Sequence, residues 1–432
     1  MTDTTTTVLN SLYVQVYDKE GVEKTYPDDN ALWTWFEETV VTKNINAKGV
    51  QITHLTAPNP SFGTIPEGGN YVAPGAPTFT PGIVKHARPN MQTVFTGDAF
   101  DMQDTETVAN TFVETLDADR AAFRSRINQQ IEAQSGTGQI GIVATRNVGA
   151  LTFTSVATDP TNPCLTGSRN IPIGAQIQFF TSGGTQHQGG SVPVSTVQTN
   201  DQLGGLSGSG TVTCDALPSD LAVGDIVVFA GSYGISLTGL PGIVTDQNVT
   251  MQGVNLANFP TLKAAVVDAQ GNGLSESILD TAIRRTRYRT GVNMSVNDFV
   301  MVMHPKQVDA YRRLGYSLNR IVNASNNAKL DLAFPYVSHR GIPFKEDLDC
   351  PDSYIWGLRL KSWRIYSIKK KLDKQMGLSD KGSGSYFREV PSGTAGAFAD
   401  RWIGTRLARV NIGCVRPQEQ FLVKNLSIVG FD

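Results

Sequence analysis

Residues 64–82 read TIPEGGNYVAPGAPTFTPG, four prolines and four glycines in nineteen positions, with Ile65, Tyr71, Val72 and Phe79 set among them. Each proline lacks a backbone donor and fixes its own φ, and each glycine adds entropy to the unfolded chain. Such a stretch makes neither a helix nor an internal strand. It still carries apolar side chains that gain from cover, so its ordering is expected to come from outside its own chain. The flanking segments PTFTPGIVKHA (77–87) and MQTVFTGDAF (91–100) alternate in strand fashion, and residues 57–100 are read as one long, proline-interrupted hairpin with these as its two arms.

Working outward, PDDNALWTWFEETVV (27–41) opens on a helix-start signal and places Leu32, Phe36 and Val40 at i, i+4 and i+8, a short amphipathic helix. On the other side the period changes at once. Val108, Phe112, Val113, Leu116, Phe123, Ile127 and Ile131 form an apolar stripe at helical spacing, which predicts a single helix over 102–133, roughly 45 Å long at 1.5 Å per residue.

Between 150 and 236 the composition shifts to Gly, Ser, Thr and Val, with LTFTSVAT, AQIQFF, GTVTC and DIVVFAG as short strands between turns. This is read as an inserted all-β module. Within it IPIGAQIQFF (171–180) and LAVGDIVVFA (221–230) share a pattern, apolar-x-apolar-Gly followed by a strand, as two related hairpins would. After 260 helices and strands alternate. TLKAAVVDAQGNG gives a strand and turn, and LSESILDTAIRRTRYRTG (274–291) gives a helix closed by Gly291. DFVMVM is a buried strand, HPKQVDAYRRLG starts a helix with Pro305 in its first turn, and strands fill the remainder. The fold class is α+β.

At 432 residues, 40% hydrophobic and 18% charged, the chain is long enough for two or three well-cored domains. With 37 basic against 39 acidic residues there is no global drive toward nucleic acid, whose affinity comes mainly from phosphate neutralisation. The N-terminal MTDTTTTVLNSLYVQVYDKEG lacks the pattern of a secretory signal, and no apolar run is long enough to span a bilayer, so a cytosolic site of synthesis without membrane association is expected. Cys164, Cys214, Cys350 and Cys414 lie far apart with no CxxC pair and are read as reduced thiols.

Little here suggests catalysis. The five histidines, His54, His86, His187, His304 and His339, show no metal-ligand spacing, and His304, just before Pro305 at a strand-to-helix junction, is read as a capping or packing residue. Glu346, Asp347, Asp349 and Asp352 in FKEDLDCPD have the composition of a hydrolase's paired acids, but an acid-rich tract before a Cys-Pro turn is ordinarily a solvated loop. No phosphate loop or nucleophile elbow is present, so no enzyme, metal or cofactor is expected. Arg284, Arg285, Arg287 and Arg289 crowd the C-terminal end of their helix, where cations complement the dipole. Four exceed what capping needs, and contact with an acidic surface of another subunit is the second reading.

The order of these parts is informative: an arm with a helix, a Pro/Gly hairpin with PEGG at 66–69, one long helix, a β-rich region, then FPTLKAAVVDAQGNGLSESILDTAIRRTRYRTG and GIPFKEDLDCPDSYIWGLRLKSWRIY. Together they resemble a tailed-bacteriophage major capsid protein of the Hong Kong 97 type. The resemblance implies an N-terminal arm (1–56), an extended loop (57–100), a peripheral domain with its spine helix (101–149), the β module as an insertion (150–236), a mainly axial domain (237–345) and return strands of both domains (346–432). It implies self-assembly into hexamers and pentamers that form an icosahedral shell around double-stranded DNA, in a virion put together in the host cytoplasm. A portal protein and, in some members, scaffolding and decoration proteins would be partners. Intersubunit contacts would fall to Ile65, Glu67, Gly68, Gly69, Tyr71, Val72 and Phe79 on the loop, with the four arginines as a second surface. Crosslinking through a loop lysine, known in some members, is not expected, because no lysine lies between Lys48 and Lys85. An encapsulin-type nanocompartment shares this fold and is the alternative. From another class comes a carbohydrate-acting enzyme or glycan-binding protein, with 150–236 as its binding module.

Overall fold

The computed structural model describes residues 32, 36, 41–44, 49–96, 106–133, 135–146, 152–155, 171–199, 210–214, 217–294, 298–322, 338–367, 387–391 and 398–427. Of the stretch expected to form the first helix, Leu32 and Phe36 are described; both are helical and buried, one turn apart on one face. Strand β1 (Val41–Asn44) follows, then β2 (Val50–Ala57), β3 (Thr78–Val84) and β4 (Asn90–Thr96). The long helix α1 runs from Glu106 to Ala133 as the stripe predicts, and Phe123, Ile127 and Ile131 on it are buried.

The expected hairpin is paired differently. β2 and β3 are its arms, from Val50 opposite Val84 to Ala57 opposite Thr78. β4 joins another sheet, antiparallel to β20 (Phe398–Leu407), with Asn90 opposite Leu407 and Thr96 opposite Arg401. The described parts of the two expected arms, 77–87 and 91–96, are therefore not partners. The cause lies at 85–89, where the chain is already held: Ala87 and Val410 exchange backbone bonds at 3.1 and 3.2 Å, and Pro89 accepts from Ala408 at 3.1 Å. Asn411 also donates to the Lys85 carbonyl at 2.6 Å. Once that run is paired, β4 continues along the same partner instead of folding back on β3.

Six strands, β5 (Gln139–Arg146), β6 (Thr152–Ser155), β7 (Gln176–Phe180), β8 (Val192–Thr199), β9 (Gly210–Cys214) and β10 (Ile226–Phe229), close into a barrel around Ile140, Val143, Ile177, Phe179, Val192, Val212 and Val227. Closure leaves no open sheet edge. The barrel starts at Gln139, ahead of the composition shift at 150, because β5 carries little of the Ser/Thr/Gly bias that marks the rest. The two similar segments adopt matching turns. Gly174 (φ +83°) and Gly224 (φ +92°) sit in the left-handed region that a side chain resists, and their amides donate to Val194 at 2.8 Å and Val143 at 2.7 Å. The strands that follow, β7 and β10, pair with each other, Ile226 opposite Phe180. Ser135 bridges Thr238, so the barrel's entry and exit lie side by side.

After a single helical turn α2 (Leu240–Ile243) and a small ribbon, β11 (Thr250–Met251) with β12 (Val254–Asn255), comes a six-stranded sheet in the order β13-β22-β17-β14-β16-β15. Its strands are β13 (Ala265–Asp268), β14 (Phe299–Met303), β15 (Ser338–His339), β16 (Ile342–Glu346), β17 (Ile355–Arg359) and β22 (Phe421–Lys424). Helix α3 (Glu276–Thr290) begins at Ser275, whose hydroxyl accepts from Ile278 N–H, and ends at left-handed Gly291; α4 (Pro305–Val322) follows β14. The all-apolar FVMVM of β14 is explained by a core on each face. Phe299, Met301 and Met303 pack with Leu279, Ile283 and Val308, while Val300 and Val302 join Ile127, Ile131, Trp356 and Leu358. A third sheet, β1-β18-β21, contains β18 (Trp363–Ser367) and β21 (Val410–Cys414), and β19 (Phe387–Pro391) joins β20 and β4.

Cys214, Cys350 and Cys414 are buried thiols outside any disulfide; Cys164 lies outside the described residues. Among the described residues no helix is long and apolar enough to cross a membrane.

Candidate functional site

The β2–β3 ribbon has two unlike faces because strand residues alternate. Ile52, His54, Thr56 and Val84 are buried, whereas Leu55, Phe79 and Ile83 are exposed. The buried face is anchored firmly. Ile52 and Val84 pack on Tyr366, Ile83 N–H donates to the Gln252 carbonyl at 2.6 Å, and His54 Nδ1 meets the Val415 carbonyl at 3.1 Å. Burial depresses the His54 pKa, which suits a neutral ring whose Nδ1–H donates to that carbonyl.

Beyond Ala57 the chain leaves this base and forms an irregular tip up to Thr78, held by its own short-range bonds. Gly69 N–H donates to Pro66 at 2.9 Å, Ser61 Oγ donates to Ala73 at 2.8 Å, and Gly68 (φ +74°) makes the turn. The tip leaves its apolar side chains uncovered: Phe62 is 92% exposed and Tyr71 89%. Ile65, Val72 and Phe79 are exposed as well. Glu67 is exposed beside the turn with no hydrogen bond or ion pair among the described residues. The seven loop residues singled out in the sequence thus share one projecting element. Leu55, Phe62 and Ile83 belong with them. Alternation marks Leu55 and Ile83, and Phe62 stands just ahead of the Pro/Gly run.

The arginine cluster divides. Arg285 Nη1 donates to the Val266 carbonyl at 3.0 Å, and Arg289 Nη1 to those of Ala264 at 2.6 Å and Lys263 at 3.2 Å. Arg285 thus covers a carbonyl of β13, the edge strand of its sheet, which opposes stray strand pairing, and Arg289 ties down the two residues that lead into it. Arg284, Arg287 and Tyr288, 83% exposed, form a separate stripe with no hydrogen bond or ion pair among the described residues.

Three titratable features of the sequence are placed as follows. His304 caps, its Nδ1 accepting from Lys306 N–H at 3.2 Å. The His187 ring lies between Asp220 and Asp225 at 2.8 and 2.9 Å, tying together two loops of the barrel. The acid-rich tract is solvated only in part: Glu346 is exposed, whereas Asp347 is not. Asp347 is buried under α1, where Leu32 N–H and Asn128 donate to it. Asn128 of α1 and the Leu32 N–H meet at Asp347, a convergence that local composition does not reveal.

The sequence matches no protein-family model and no curated protein. In structure the chain is similar to the capsid subunit of cyanophage A-1(L), with a TM-score of 0.51 at 12% identity over 94% of this chain and 96% of that one. The capsid of a native GTA particle gives a TM-score of 0.47 at 11% identity over 94% of each chain. An encapsulin complex of Synechococcus elongatus gives 0.39 at 9% identity over 97% of each. The similarity to the cyanophage subunit shows that this chain has a phage capsid fold.

Proposed function

We propose, from the capsid fold shared with the cyanophage subunit, that this chain is the major capsid protein of a tailed phage, assembling into hexamers and pentamers around double-stranded DNA. The observation that carries the proposal is the β2–β3 loop: a firmly based ribbon whose tip exposes Phe62, Ile65, Tyr71 and Val72 and whose outer face exposes Phe79. An isolated two-stranded ribbon is marginal in water, and these side chains gain about 1.5 to 3 kcal/mol each when fully buried. From Val50 to the turn at Gly68 an extended chain reaches on the order of 60 Å, enough to cross a neighbouring subunit. The prolines suit this role. They block strand pairing before docking and reduce the entropy lost on docking.

In this reading the six-stranded sheet with α3 and α4 is the axial domain, and α1 is the spine of the peripheral domain. The barrel is an insertion with its own core. Arg284, Arg287 and Tyr288 offer a second intersubunit surface, and Glu67 meets a cation of the neighbour. Rings of five and six require head-to-tail contacts between two different surfaces of each subunit, which a projecting loop and a separate acceptor supply. Near-neutral net charge suits a wall that encloses DNA without gripping it. A portal protein completes the shell, and scaffolding and decoration proteins are further partners. The whole is assembled in the host cytoplasm.

Electron microscopy of the purified full chain tests the proposal. Shells, tubes or free capsomers are the expected result, and a species that stays monomeric at high concentration overturns it.

A further inference from the structure

His54 stands in β2 on the buried face of the ribbon that carries the projecting loop, and it is 1% exposed. Its two ring nitrogens have unlike surroundings. Nδ1 lies 3.1 Å from the Val415 carbonyl, and a carbonyl offers only lone pairs, so Nδ1 carries the hydrogen and donates. Nε2 is buried with no hydrogen-bond partner among the described residues. Beside it runs the backbone of β3. A Cβ added at Gly82 would stand 3.0 Å from Nε2, 3.2 Å from Cδ2 and 3.0 Å from the Gln252 carbonyl oxygen, so the ring fits because residue 82 has no side chain. That carbonyl is already engaged, accepting from Ile83 N–H at 2.6 Å. A bare, buried nitrogen suits a neutral imidazole.

The elements around this seat bring the following titratable and charged groups. β18 contributes Tyr366 and β21 contributes Cys414; burial raises the first to about 12 and the second well above its usual value, so both are uncharged in acid and neutral solution. Arg364 of β18 donates to the Lys361 and Trp363 carbonyls. Next to Val415, Arg416 pairs with Glu419 at 3.1 Å, and the same carboxylate takes Arg359 at 2.7 Å and the Ser362 hydroxyl at 2.6 Å. Just past β3, His86 Nε2 accepts from Arg88 at 3.1 Å, and burial, then Arg88 and Arg409, lower its pKa. The turn between β11 and β12 brings the neutral Gln252, and β2 and β3 themselves bring Thr56 and Thr80, whose hydroxyls meet at 3.3 Å.

We infer that His54 is a proton-sensitive latch for the projecting loop: the neutral ring keeps the β2–β3 ribbon seated on the body of the subunit, and a proton on Nε2 releases it. Protonation there creates a charge and a new donor at a buried point without an acceptor, and both are costly unless the group moves to water. Leaving the seat brings that relief. It also lifts Ile52 and Val84 off Tyr366 and breaks the Ile83 bond to Gln252, and a two-stranded ribbon on its own is marginal in water.

The direction follows from the same geometry. Burial lowers the His54 pKa, outweighing the bond to Val415, which raises it. The seated ring therefore binds this proton less tightly than the released one. Anchorage is complete above about 6.5, the ordinary histidine value, and is lost as the pH falls through it toward the lowered value. One proton changes the ratio of seated to released ribbon by at most about tenfold per pH unit, hence by at most about thirtyfold at pH 5. That the released element is the contact arm of a shell rests on the capsid reading; the latch itself does not.

Hydrogen exchange on unassembled, full-length subunits, corrected for intrinsic exchange chemistry, tests the latch on peptides covering β2 and β3, with Ile83 N–H as the amide nearest the seat. In the natural chain their protection falls roughly five- to thirtyfold from pH 7.5 to pH 5. In His54→Asn, which keeps a donor for the Val415 carbonyl and cannot titrate, the fall is absent. His54→Gln supplies a second non-titrating donor should the shorter side chain seat poorly. Constant protection in the natural chain overturns the inference, and so does an equal fall in a folded His54 variant, which would assign the proton to His86. Neither result touches the capsid reading, which is decided separately by the presence of shells in electron micrographs.

Discussion

Changing Phe62 and Tyr71 to Ser separates what the extended loop does for its own chain from what it does for the next. The two rings are 92% and 89% exposed, so the isolated subunit buries almost none of their surface and loses almost nothing with them. Its melting temperature should hold to within about 1 °C, since exposed substitutions ordinarily change stability by no more than about 0.5 kcal/mol. Docked on a neighbour, each ring stands to gain about 1.5 to 3 kcal/mol. Removing both weakens each loop contact by about 3 to 6 kcal/mol, and at 1.4 kcal/mol per factor of ten that is a hundredfold or more in association. Light scattering against protein concentration, with electron microscopy of the products, reads the assembly threshold. Differential scanning fluorimetry of unassembled subunits reads the fold. Assembly at the natural threshold would refute the reasoning. So would a melting point several degrees lower in the unassembled variant, because the rings would then be packed on their own chain.

The arginines should respond in two ways: Arg284→Glu with Arg287→Glu impairs assembly and leaves the subunit's melting point in place, whereas Arg289→Ala uncovers the Ala264 and Lys263 carbonyls and costs about 1 to 3 kcal/mol in a denaturant titration. Normal shells from the first variant would leave that stripe without an assembly role. Replacing residues 137–236 by a short Gly/Ser linker should leave the remaining chain folded, because Ser135 and Thr238 already lie side by side. A cut at 150 should instead strand β5 and produce aggregation in size-exclusion chromatography. If neither version folds, the barrel is part of the core and not a separable module.

Local chemistry makes several elements legible in the sequence by itself. The stripe ending in Phe123, Ile127 and Ile131 identifies α1, because helical periodicity is a property of neighbours in sequence. Ser275 and Gly291 bound α3 through caps that act within one turn. The density of proline and glycine at 64–82 marks an exposed loop, because the handicap those residues bring to helix and strand is intrinsic to their backbones.

Pairing between distant segments is another matter, and only the tertiary structure decides it. β4 alternates as a hairpin arm should, yet its partner is β20, some three hundred residues away, chosen by a run of bonds at 85–89 that no local pattern announces. β5 looks unlike the barrel it helps to close. Arg285 and Arg289 differ from Arg284 and Arg287 only because carbonyls of β13 and of the residues leading into it lie within reach of one pair. Asp347 shows the limit most clearly. In sequence it sits in an acidic turn that water would be expected to solvate; in the fold it is buried where Asn128 of α1 and Leu32 N–H reach it, and that burial raises its pKa. Periodicity, capping and turn chemistry act within a few residues and can be read directly, whereas strand partners and desolvation depend on which remote surfaces converge.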